Sequence, residues 1–313
     1  MNSAFFDHRV KTPVQMVTFL NKKRETCRFW VKRDDLIHPQ ISGNKWRKLK
    51  YNIKHAIDQG YTGIASFGGA FSNHIAALAS AGHYAGIRTL GFIRSHEIDD
   101  SNPTLAKARS MGMSLINLSR EAYRKRRDVD FISELSRSHP GYFFVPEGGS
   151  NAFAHAGLAE LADEIEQQSN VDTLACAIGS GGSISGLMKA LPDHHFIGVA
   201  AVNDKPLLSA LKQEFGARLS LDTAALFGGY GKLNQELQHF CLDFFHQTQI
   251  PIDPLYTGKL FYALCHHQAE LGLDEDSRVL AVHTGGLQGL QGLIYRRQID
   301  PELWQPVISS LPA

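Results

Sequence analysis

Near-continuously hydrophobic segments alternate with helical stretches through most of this chain, and this pattern constrains its fold more than any other feature. Strands that are apolar on both faces are typical of parallel sheets covered by helices on each side. Their alternation with helices predicts an α/β protein. The predicted strands are residues 63–69, 88–94, 113–119, 141–149, 173–182, 196–202 and 278–286.

Two of the intervening stretches have clear helical character. The segment NHIAALASAGHYAG predicts one helix, and AHAGLAELADEIEQQ predicts another. In the second, Leu158, Leu161, Ala162 and Ile165 fall on one face, as expected for a helix packed on a sheet.

Four of the predicted strands lead into glycine-rich segments. These are FGGAFSNH, PEGGSN, GSGGSISG and HTGG. Open α/β sheets bind ligands at the carboxyl ends of their strands. The four segments are therefore expected to line one crevice.

Composition argues against several classes of function. The formal net charge of the 313 residues is +1, so no global field attracts nucleic acid or an anionic membrane. The basic runs KKRETCRFWVKR and YRKRRD lack a nucleic-acid motif and are interpreted as solvated faces. The N-terminal segment does not resemble a signal peptide, and no apolar run reaches the length of a membrane span.

Cysteine and histidine spacing gives no sign of a disulfide framework or a metal site. The cysteines lie far apart and form no CxxC pair, which is typical of reduced thiols in a cytoplasmic protein. The pairs His194–His195 and His266–His267 lack the i, i+4 spacing of a helical metal site. We therefore expect a cytoplasmic protein without metal, nucleic-acid or membrane partners.

The segment GSGGSISG joins a predicted strand to a predicted helix. Such a segment can hold a phosphate, because glycines allow close approach and a helix N-terminus offers free N–H groups. Ile184 occupies the last glycine position of a dinucleotide fingerprint, and no GK[ST] follows. A phosphate cradle and a simple tight turn are equally compatible with this motif alone.

Lys45, in SGNKWRKLKYN, is the best nucleophile candidate, since no G-x-S-x-G elbow occurs. The alternative for this segment is a basic helix start. In FSNHIAAL, Ser72, Asn73 and His74 either cap a helix or receive a substrate carboxylate. A lysine, a phosphate cradle and several polar strand ends together suggest a phosphate-bearing aldehyde cofactor.

Six motifs, in this order, resemble those of the pyridoxal-phosphate enzymes grouped as aminocyclopropane-carboxylate deaminase and D-cysteine desulfhydrase. They are SGNKWRKLKY, FSNH, PEGGSNA, GSGGSISG, DPLYTGK and HTGG. The resemblance runs from VKRDDL to HTGG, which is nearly the whole chain. It implies the tryptophan-synthase-β-like fold (fold type II), with two open-sheet α/β domains and pyridoxal 5'-phosphate between them.

The resemblance also implies the domain limits and the assembly. Residues 1–48 and 155–313 would form a large cofactor-binding domain, and residues 49–154 a small inserted domain. Members of this fold are commonly homodimers, so a homodimer is expected.

Several site roles follow from the resemblance. Lys45 corresponds to the Schiff-base lysine, and Lys48 to a lysine near the cofactor phosphate. Asn73 corresponds to a residue that contacts the cofactor's 3-hydroxyl. Ser72 corresponds to the serine that meets the substrate carboxylate and takes part in proton transfer, with His74 beside it on the substrate side.

The remaining roles lie in the second half of the chain. Tyr230 and Tyr256 correspond to two tyrosines that face the substrate side of the cofactor, and Thr284 to a residue at the pyridine nitrogen. The phosphate cradle corresponds to Gly179, Ser180, Gly181, Gly182 and Ser183.

Two positions bear on the branch of the family. True aminocyclopropane-carboxylate deaminases resemble one another in reading YEGK and HLGG, whereas this chain reads YTGK and HTGG, as D-cysteine desulfhydrases do. A glutamate near the pyridine nitrogen keeps it protonated and strengthens the electron sink, but Thr284 can only hydrogen-bond it. Thr257 and Thr284 therefore favour α,β-elimination over ring-opening.

The chain departs from the family pattern at three positions. Phe71 replaces the usual glutamine, Trp46 replaces a small or β-branched residue, and Glu147 stands where an apolar or small residue is usual. We expect the bulk of Phe71 and Trp46 to reshape the substrate pocket.

The implied function is a pyridoxal-phosphate-dependent lyase or deaminase. Lys45 would take the Cα proton of an amino acid such as D-cysteine, sulfide would leave, and pyruvate and ammonia would form, with Tyr230 or Tyr256 assisting proton transfer. The alternatives with the same cofactor are an aminocyclopropane-carboxylate deaminase, a serine dehydratase or a racemase. A non-catalytic protein that binds a nucleotide or small anion is the alternative from another class.

Overall fold

The structure is a computed structural model that describes residues 3–7, 10–229, 231–274 and 276–312. Within these residues the chain forms ten strands and twelve α-helices. The strands are β1 (Val14–Leu20), β2 (Thr26–Lys32), β3 (Gly63–Gly69), β4 (Arg88–Arg94), β5 (Ser114–Leu118), β6 (Tyr142–Phe144), β7 (Thr173–Ile178), β8 (His195–Ala200), β9 (Leu219–Asp222) and β10 (Val279–Val282). The helices are α1 (Asn44–Asp58), α2 (Asn73–Ala85), α3 (Pro103–Ser110), α4 (Arg120–Arg124), α5 (Val129–Ser138), α6 (Ala152–Gln168), α7 (Gly182–Ala190), α8 (Lys205–Phe215), α9 (Gln235–Thr248), α10 (Thr257–His266), α11 (Gly289–Tyr295) and α12 (Pro301–Ser309).

The described strands form two open sheets. One has the order β1-β2-β10-β7-β8-β9, and the other has the order β5-β4-β3-β6. All described pairings are parallel except the antiparallel pair of β1 and β2. The predicted α/β class with two open sheets is therefore confirmed.

Both faces of the six-stranded sheet are buried. Along β7, Leu174, Cys176 and Ile178 pack into one apolar cluster with α6, α7 and α8, whereas Ala175 packs into another with α9 and α10. The four-stranded sheet likewise has an apolar cluster on each face, and Ile64 of β3 belongs to one of these two clusters. Burial on both faces explains why these strands read as continuous hydrophobic runs.

Each of the seven predicted strand segments overlaps a strand, and β3 and β4 have the predicted limits. The segment 141–149 was expected to be extended throughout, but β6 ends at Phe144. Pro146 follows, and Gly148 and Gly149 both have a φ of 76°, which an extended strand does not allow. The predicted helix over AHAGLAELADEIEQQ is confirmed as α6.

The interpretation of KKRETCRFWVKR as a solvated face is wrong for its second half. Residues Thr26–Lys32 form β2, in which Cys27, Phe29 and Val31 are buried. The side chain of Lys32 is fully buried at the end of this strand. Strands β1 and β9 were also not predicted.

A buried charge network, consisting of Lys32, Asp34, Arg47 and Glu164, connects β2, α1 and α6. Glu164 pairs with Lys32 at 2.9 Å and with Arg47 at 2.7 Å, and Arg47 pairs with Asp34 at 2.7 Å. A Cβ on Gly157 would lie 1.9 Å from the Arg47 carbonyl oxygen, so α6 approaches α1 with no room for a side chain. The network and this close packing fix the position of α1.

Trp46 is part of the buried core. It is 5% exposed and packs against Phe5, Phe6 and His38, with ring-centroid distances of 4.8–5.4 Å. The expectation that Trp46 reshapes the substrate pocket is therefore not supported, because its bulk fills the core between α1 and the N-terminal segment.

The division into residues 1–48 with 155–313 and residues 49–154 stays a prediction. The four-stranded sheet begins with β3 (Gly63–Gly69) and ends with β6 (Tyr142–Phe144), so it lies inside the predicted small domain. Helix α1 runs through the predicted boundary after Lys48. Among the described residues, no helix combines the length and hydrophobicity that crossing a bilayer requires. The four cysteines are buried and form no disulfide.

Candidate active site

Lys45 is the second residue of α1, and the backbone before it contacts the HTGG segment. Gly43 has a φ of 60°, and a Cβ there would lie 2.0 Å from the Thr284 carbonyl oxygen. That same oxygen accepts a hydrogen bond from the Asn44 N–H at 3.2 Å. Only glycine at position 43 permits this contact, which brings GNK and HTGG together.

The amine of Lys45 is activated by its surroundings. Burial lowers the pKa of Lys45 to about 8, against a smaller opposing effect from the charge of Glu147. Desolvation disfavours the ammonium form, so the neutral amine is far more populated than in an exposed lysine. A neutral amine is the form that bonds to an aldehyde or accepts a proton.

Lys48 lies one turn further along α1 and is 1% exposed. Burial and the charge of Lys45 hold the pKa of Lys48 well below its usual range. Its Nζ donates to Ser150 Oγ at 3.2 Å, and among the described residues no carboxylate forms an ion pair with it. A buried lysine without a counter-ion is costly, and binding an anion removes that cost.

The glycine-rich segment after β7 meets Lys48. Gly181 has a φ of 79°, and α7 begins at Gly182 without a side-chain cap. A Cβ on Gly182 would lie 1.9 Å from Ser150 Oγ and 3.0 Å from Lys48 Nζ. The uncapped N–H groups of α7 and the lysine therefore converge on one space, as an anion site requires.

Ser183 connects this loop to the segment of Lys45. Its Oγ accepts a hydrogen bond from Asn44 Nδ2 at 2.7 Å. The sequence did not single out Asn44 or Ser150, although both lie within quoted motifs. Asn44 could have been identified from its position beside Lys45, and Ser150 from its position after two glycines.

Ser72 and Asn73 stand at the start of α2, beyond the end of β3. Ser72 caps the helix by accepting from the Ile75 N–H at 3.3 Å, which confirms the structural role predicted for it. Asn73 Nδ2 donates to the Gly286 carbonyl at 3.3 Å. Asn73 therefore lies between the end of the four-stranded sheet and HTGG.

His74 is buried beside the two lysines. Ser66 Oγ donates to the Val145 carbonyl at 2.8 Å and lies 2.8 Å from His74 Nε2, so Nε2 carries the proton and donates to it. Burial and the charges of Lys45 and Lys48 hold the pKa of His74 well below its usual range. Its Nδ1 is a buried acceptor that has no partner within the described part of the chain.

Tyr256 lies against the glycine loop, since a Cβ on Gly179 would be 2.9 Å from its ring carbon Cε1. The hydroxyl of Thr257 donates to Asp253 Oδ2 at 2.6 Å, so this threonine is bound within its own turn. The argument from Thr257 and Thr284 for α,β-elimination stays a prediction. Tyr230, the second predicted tyrosine, lies outside the described residues.

Lys259 was not predicted to have a role. Its buried Nζ donates to the carbonyls of Ala201, Leu226 and Gly229 at 2.9–3.0 Å. Burial lowers the pKa of Lys259 to about 8, and the charge of Asp253 opposes this shift. This lysine fixes the loop that ends at Gly229 to the carboxyl end of β8.

Glu147 and part of YRKRRD form contacts that the sequence did not predict. Glu147 accepts from the Tyr123 hydroxyl and from Arg126 Nε, both at 2.5 Å. The interpretation of YRKRRD as a solvated face is therefore wrong for Tyr123 and Arg126. Across the ranges that the structure describes, no three His, Cys, Asp or Glu side chains are placed to hold a metal ion.

Comparison with known proteins identifies relatives of this architecture. Residues 5–285 match the profile of the family described as "Pyridoxal-phosphate dependent enzyme". The Arabidopsis thaliana protein named bifunctional D-cysteine desulfhydrase/1-aminocyclopropane-1-carboxylate deaminase, mitochondrial, is 29% identical over 83% of this chain and 73% of its own length. The D-cysteine desulfhydrase of Salmonella schwarzengrund is 26% identical over 83% of this chain and 87% of its own.

A solved structure described as an ACC deaminase homologue is similar over nearly the whole chain. It has a TM-score of 0.76 and 26% sequence identity, and the match covers 96% of this chain and 94% of that one. The fold is thus shared over nearly the whole length of both chains.

Proposed function

We propose that this chain catalyses α,β-elimination on a small amino acid. The chain belongs to the pyridoxal-phosphate-dependent enzyme family, in the group of aminocyclopropane-carboxylate deaminases and D-cysteine desulfhydrases. D-cysteine is the proposed substrate, and pyruvate, ammonia and sulfide are the products. The observation that carries the proposal is the pair Lys45 and Lys48, two buried amines with lowered pKa values, of which Lys48 lies beside the N-terminus of α7.

The residues present fit pyridoxal phosphate. Lys48 and the N–H groups at the start of α7 would hold its phosphate, and the absence of a side chain at Gly182 leaves room for that group. Its aldehyde suits the largely neutral amine of Lys45. The partnerless Nδ1 of His74 gives the site a buried acceptor for a polar group.

Pyridoxal phosphate, when bound, supplies an electron sink for the charge that develops at the substrate Cα. Lys45 removes the Cα proton, because its amine is neutral and held in place at the start of α1. Ser72 and the N–H groups at the start of α2 receive the α-carboxylate. Tyr256, packed on Gly179, closes the other side of the site and excludes water there.

The choice of elimination rests on Thr284. A threonine does not hold a pyridine nitrogen in its protonated form, so the cofactor is a weaker electron sink. A weaker sink suffices when the substrate carries a good leaving group such as thiol. The mitochondrial Arabidopsis relative is named for both activities, and the Salmonella relative for the desulfhydrase activity alone.

The test is product release from cysteine by the cofactor-loaded protein. Pyruvate and sulfide are expected in equal amounts from D-cysteine, with L-cysteine as the matched control. Release of a four-carbon 2-oxo acid from aminocyclopropane carboxylate, or pyruvate from serine, without sulfide from D-cysteine would contradict elimination of thiol. Interconversion of enantiomers without pyruvate would identify a racemase.

Replacing Gly182 with alanine should weaken cofactor binding about tenfold or more, which corresponds to about 1.4 kcal/mol. The added Cβ would collide with Ser150 Oγ and approach Lys48 Nζ, so the anion space would be filled. The measurement is a fluorescence titration of the cofactor-free protein with pyridoxal phosphate. Ser185→Ala, on the same helix, is the control, and thermal unfolding of both cofactor-free variants checks the fold. Unchanged affinity in a folded Gly182→Ala protein would place the phosphate elsewhere.

A further inference from the structure

Arg94 is the last residue of β4 and lies beside the segment that carries Ser72. In the parallel register of β3 and β4, Arg94 is paired with Gly69. Since Gly69 has no side chain, the guanidinium extends across it, with Nη2 3.7 Å from where a Cβ would be. Arg94 therefore reaches the carboxyl end of β3, where the substrate carboxylate is proposed to bind.

The position of Arg94 is fixed by packing on an aromatic ring. Its guanidinium carbon lies 5.4 Å from the centroid of the Tyr123 ring, and that of Arg126 lies 4.8 Å from the same centroid. The Tyr123 hydroxyl is held by Glu147. We call Arg94, Tyr123, Arg126 and Glu147 the Arg94 cluster.

Arg94 is the member of this cluster whose positive charge is available to a ligand. Glu147 is paired with Arg126, whereas Arg94 forms no ion pair with a carboxylate in the described portions of the chain. The two aspartates that follow Arg94 are engaged elsewhere: Asp99 accepts from the Tyr295 hydroxyl at 2.6 Å, and Asp100 pairs with Arg109 at 3.1 Å.

The cluster also lies within electrostatic reach of the reactive amine, because the charge of Glu147 acts on Lys45. One end of the cleft thus offers the start of α2 for an α-carboxylate, and a fixed, exposed guanidinium beside it. A guanidinium presents several donors in a plane and suits carboxylate or phosphate oxygens.

We propose that Arg94 binds an anionic group on the side chain of the amino-acid substrate, such as a phosphate or sulfate joined to Cβ through oxygen, a group that can leave in α,β-elimination. This inference rests on the proposed function, because it names the substrate class of the same site. It goes further than the D-cysteine reaction, because the preferred substrate would carry a second anion besides the α-carboxylate, in place of the neutral thiol of D-cysteine.

The test is calorimetric binding of unreactive amino acids to the cofactor-loaded protein. Each enantiomer of 2-amino-3-phosphonopropionate is compared with the matching tert-butylalanine, whose side chain has a similar tetrahedral shape but is neutral. The anionic ligand is expected to bind at least about tenfold more tightly, as a charge-assisted hydrogen bond allows. In Arg94→Gln this affinity ratio is expected to fall to about one.

Arg88 provides the matched control. It stands at the opposite end of β4, and its guanidinium also lies 5.4 Å from a tyrosine ring, that of Tyr142. Arg88→Gln should preserve the ratio. A ratio unchanged in Arg94→Gln, including the case in which both ligands weaken equally because Arg94 holds the α-carboxylate, would overturn the proposal.

Two further ligands distinguish the proposed anion-binding role from a cation site and from a site for free phosphate. Tighter binding of 2,4-diaminobutyrate than of the phosphonate would show that Glu147 selects a cation, against the proposal. Inorganic phosphate binding to the loaded protein as tightly as the phosphonate would indicate a site for a free anion, also against it.

The reaction and the substrate class fail separately. Binding as expected without sulfide release from D-cysteine would contradict the proposed reaction and support the role of Arg94. Turnover of D-cysteine with an affinity ratio of about one would support the reaction and overturn the role of Arg94.

Discussion

Replacing Lys45 with alanine is expected to reduce turnover of the cofactor-loaded protein on the order of 10⁴-fold, the upper end of what one positioned proton-transfer group contributes. The loss should be in kcat, because Lys45 acts on the Cα proton rather than on the substrate carboxylate. Alanine also removes the amine that bonds to the cofactor. The measurements are steady-state kinetics and mass spectrometry after borohydride reduction, which leaves the cofactor attached to the lysine that held it.

Lys54 is the control on the same helix. It lies on the surface of α1, where it pairs with Asp7 at 2.7 Å. Lys54→Ala should retain both turnover and the reduced adduct. An active Lys45→Ala protein, or a wild-type adduct found on another lysine such as Lys48, would remove Lys45 from its proposed role.

Replacing Glu164 with glutamine is expected to lower the free energy of unfolding by about 3–5 kcal/mol, because it leaves buried Lys32 without its carboxylate and Arg47 with Asp34 alone. Glu164 accepts from Arg47 at 2.7 and 3.0 Å and from Lys32 at 2.9 Å. Glutamine keeps the shape but offers one acceptor oxygen and no charge. Chemical denaturation of the cofactor-free protein measures the difference.

Asp172 offers a matched exposed pair. It accepts two hydrogen bonds from Arg278, at 2.8 and 3.0 Å, but its side chain is 68% exposed. Asp172→Asn should cost no more than about 1 kcal/mol, because water and salt screen exposed pairs. Equal losses in the two variants would show that the buried charge network contributes no more than a surface contact.

The contribution of Glu164 should also depend on pH. Burial opposes its ionisation, but the hydrogen bonds and charges of Arg47 and Lys32 outweigh burial and hold the pKa of Glu164 below its usual range. A lowered pKa in the folded state stabilises above the unfolded value of about 4.3, and this stability is lost as pH falls through the folded value. The stability difference between wild type and Glu164→Gln should therefore narrow below about pH 4.

Most of the parallel core could be predicted because burial on both faces leaves a direct mark on the sequence. Strands β3 and β4 were identified to the residue for this reason. Strand β2 was not, because charged residues flank it and hide the alternation of Cys27, Phe29 and Val31. A search for period-two alternation within the basic run would have found it.

The candidate site was predictable where adjacent residues carry it. Lys48 lies against Gly182 of the glycine loop, and Asn44, next to Lys45, bonds Ser183 of the same loop. The contacts of Glu147 with Arg126 and of Lys259 with Ala201 join residues 21 and 58 positions apart. A single sequence records no such pairing, so these contacts needed the fold.

The buried charge network and the Arg94 cluster have no residue in common. Substitutions at exposed Arg94 leave the contacts that hold α1 intact, and such surface changes usually alter stability by less than about 0.5 kcal/mol. With Arg94 in its proposed role, substrate preference could diverge among descendants of this chain while the helix of Lys45 stays in place. The same separation makes Arg94 and Arg126, the two arginines of the Arg94 cluster, the first positions to randomise when a new specificity is sought by directed evolution.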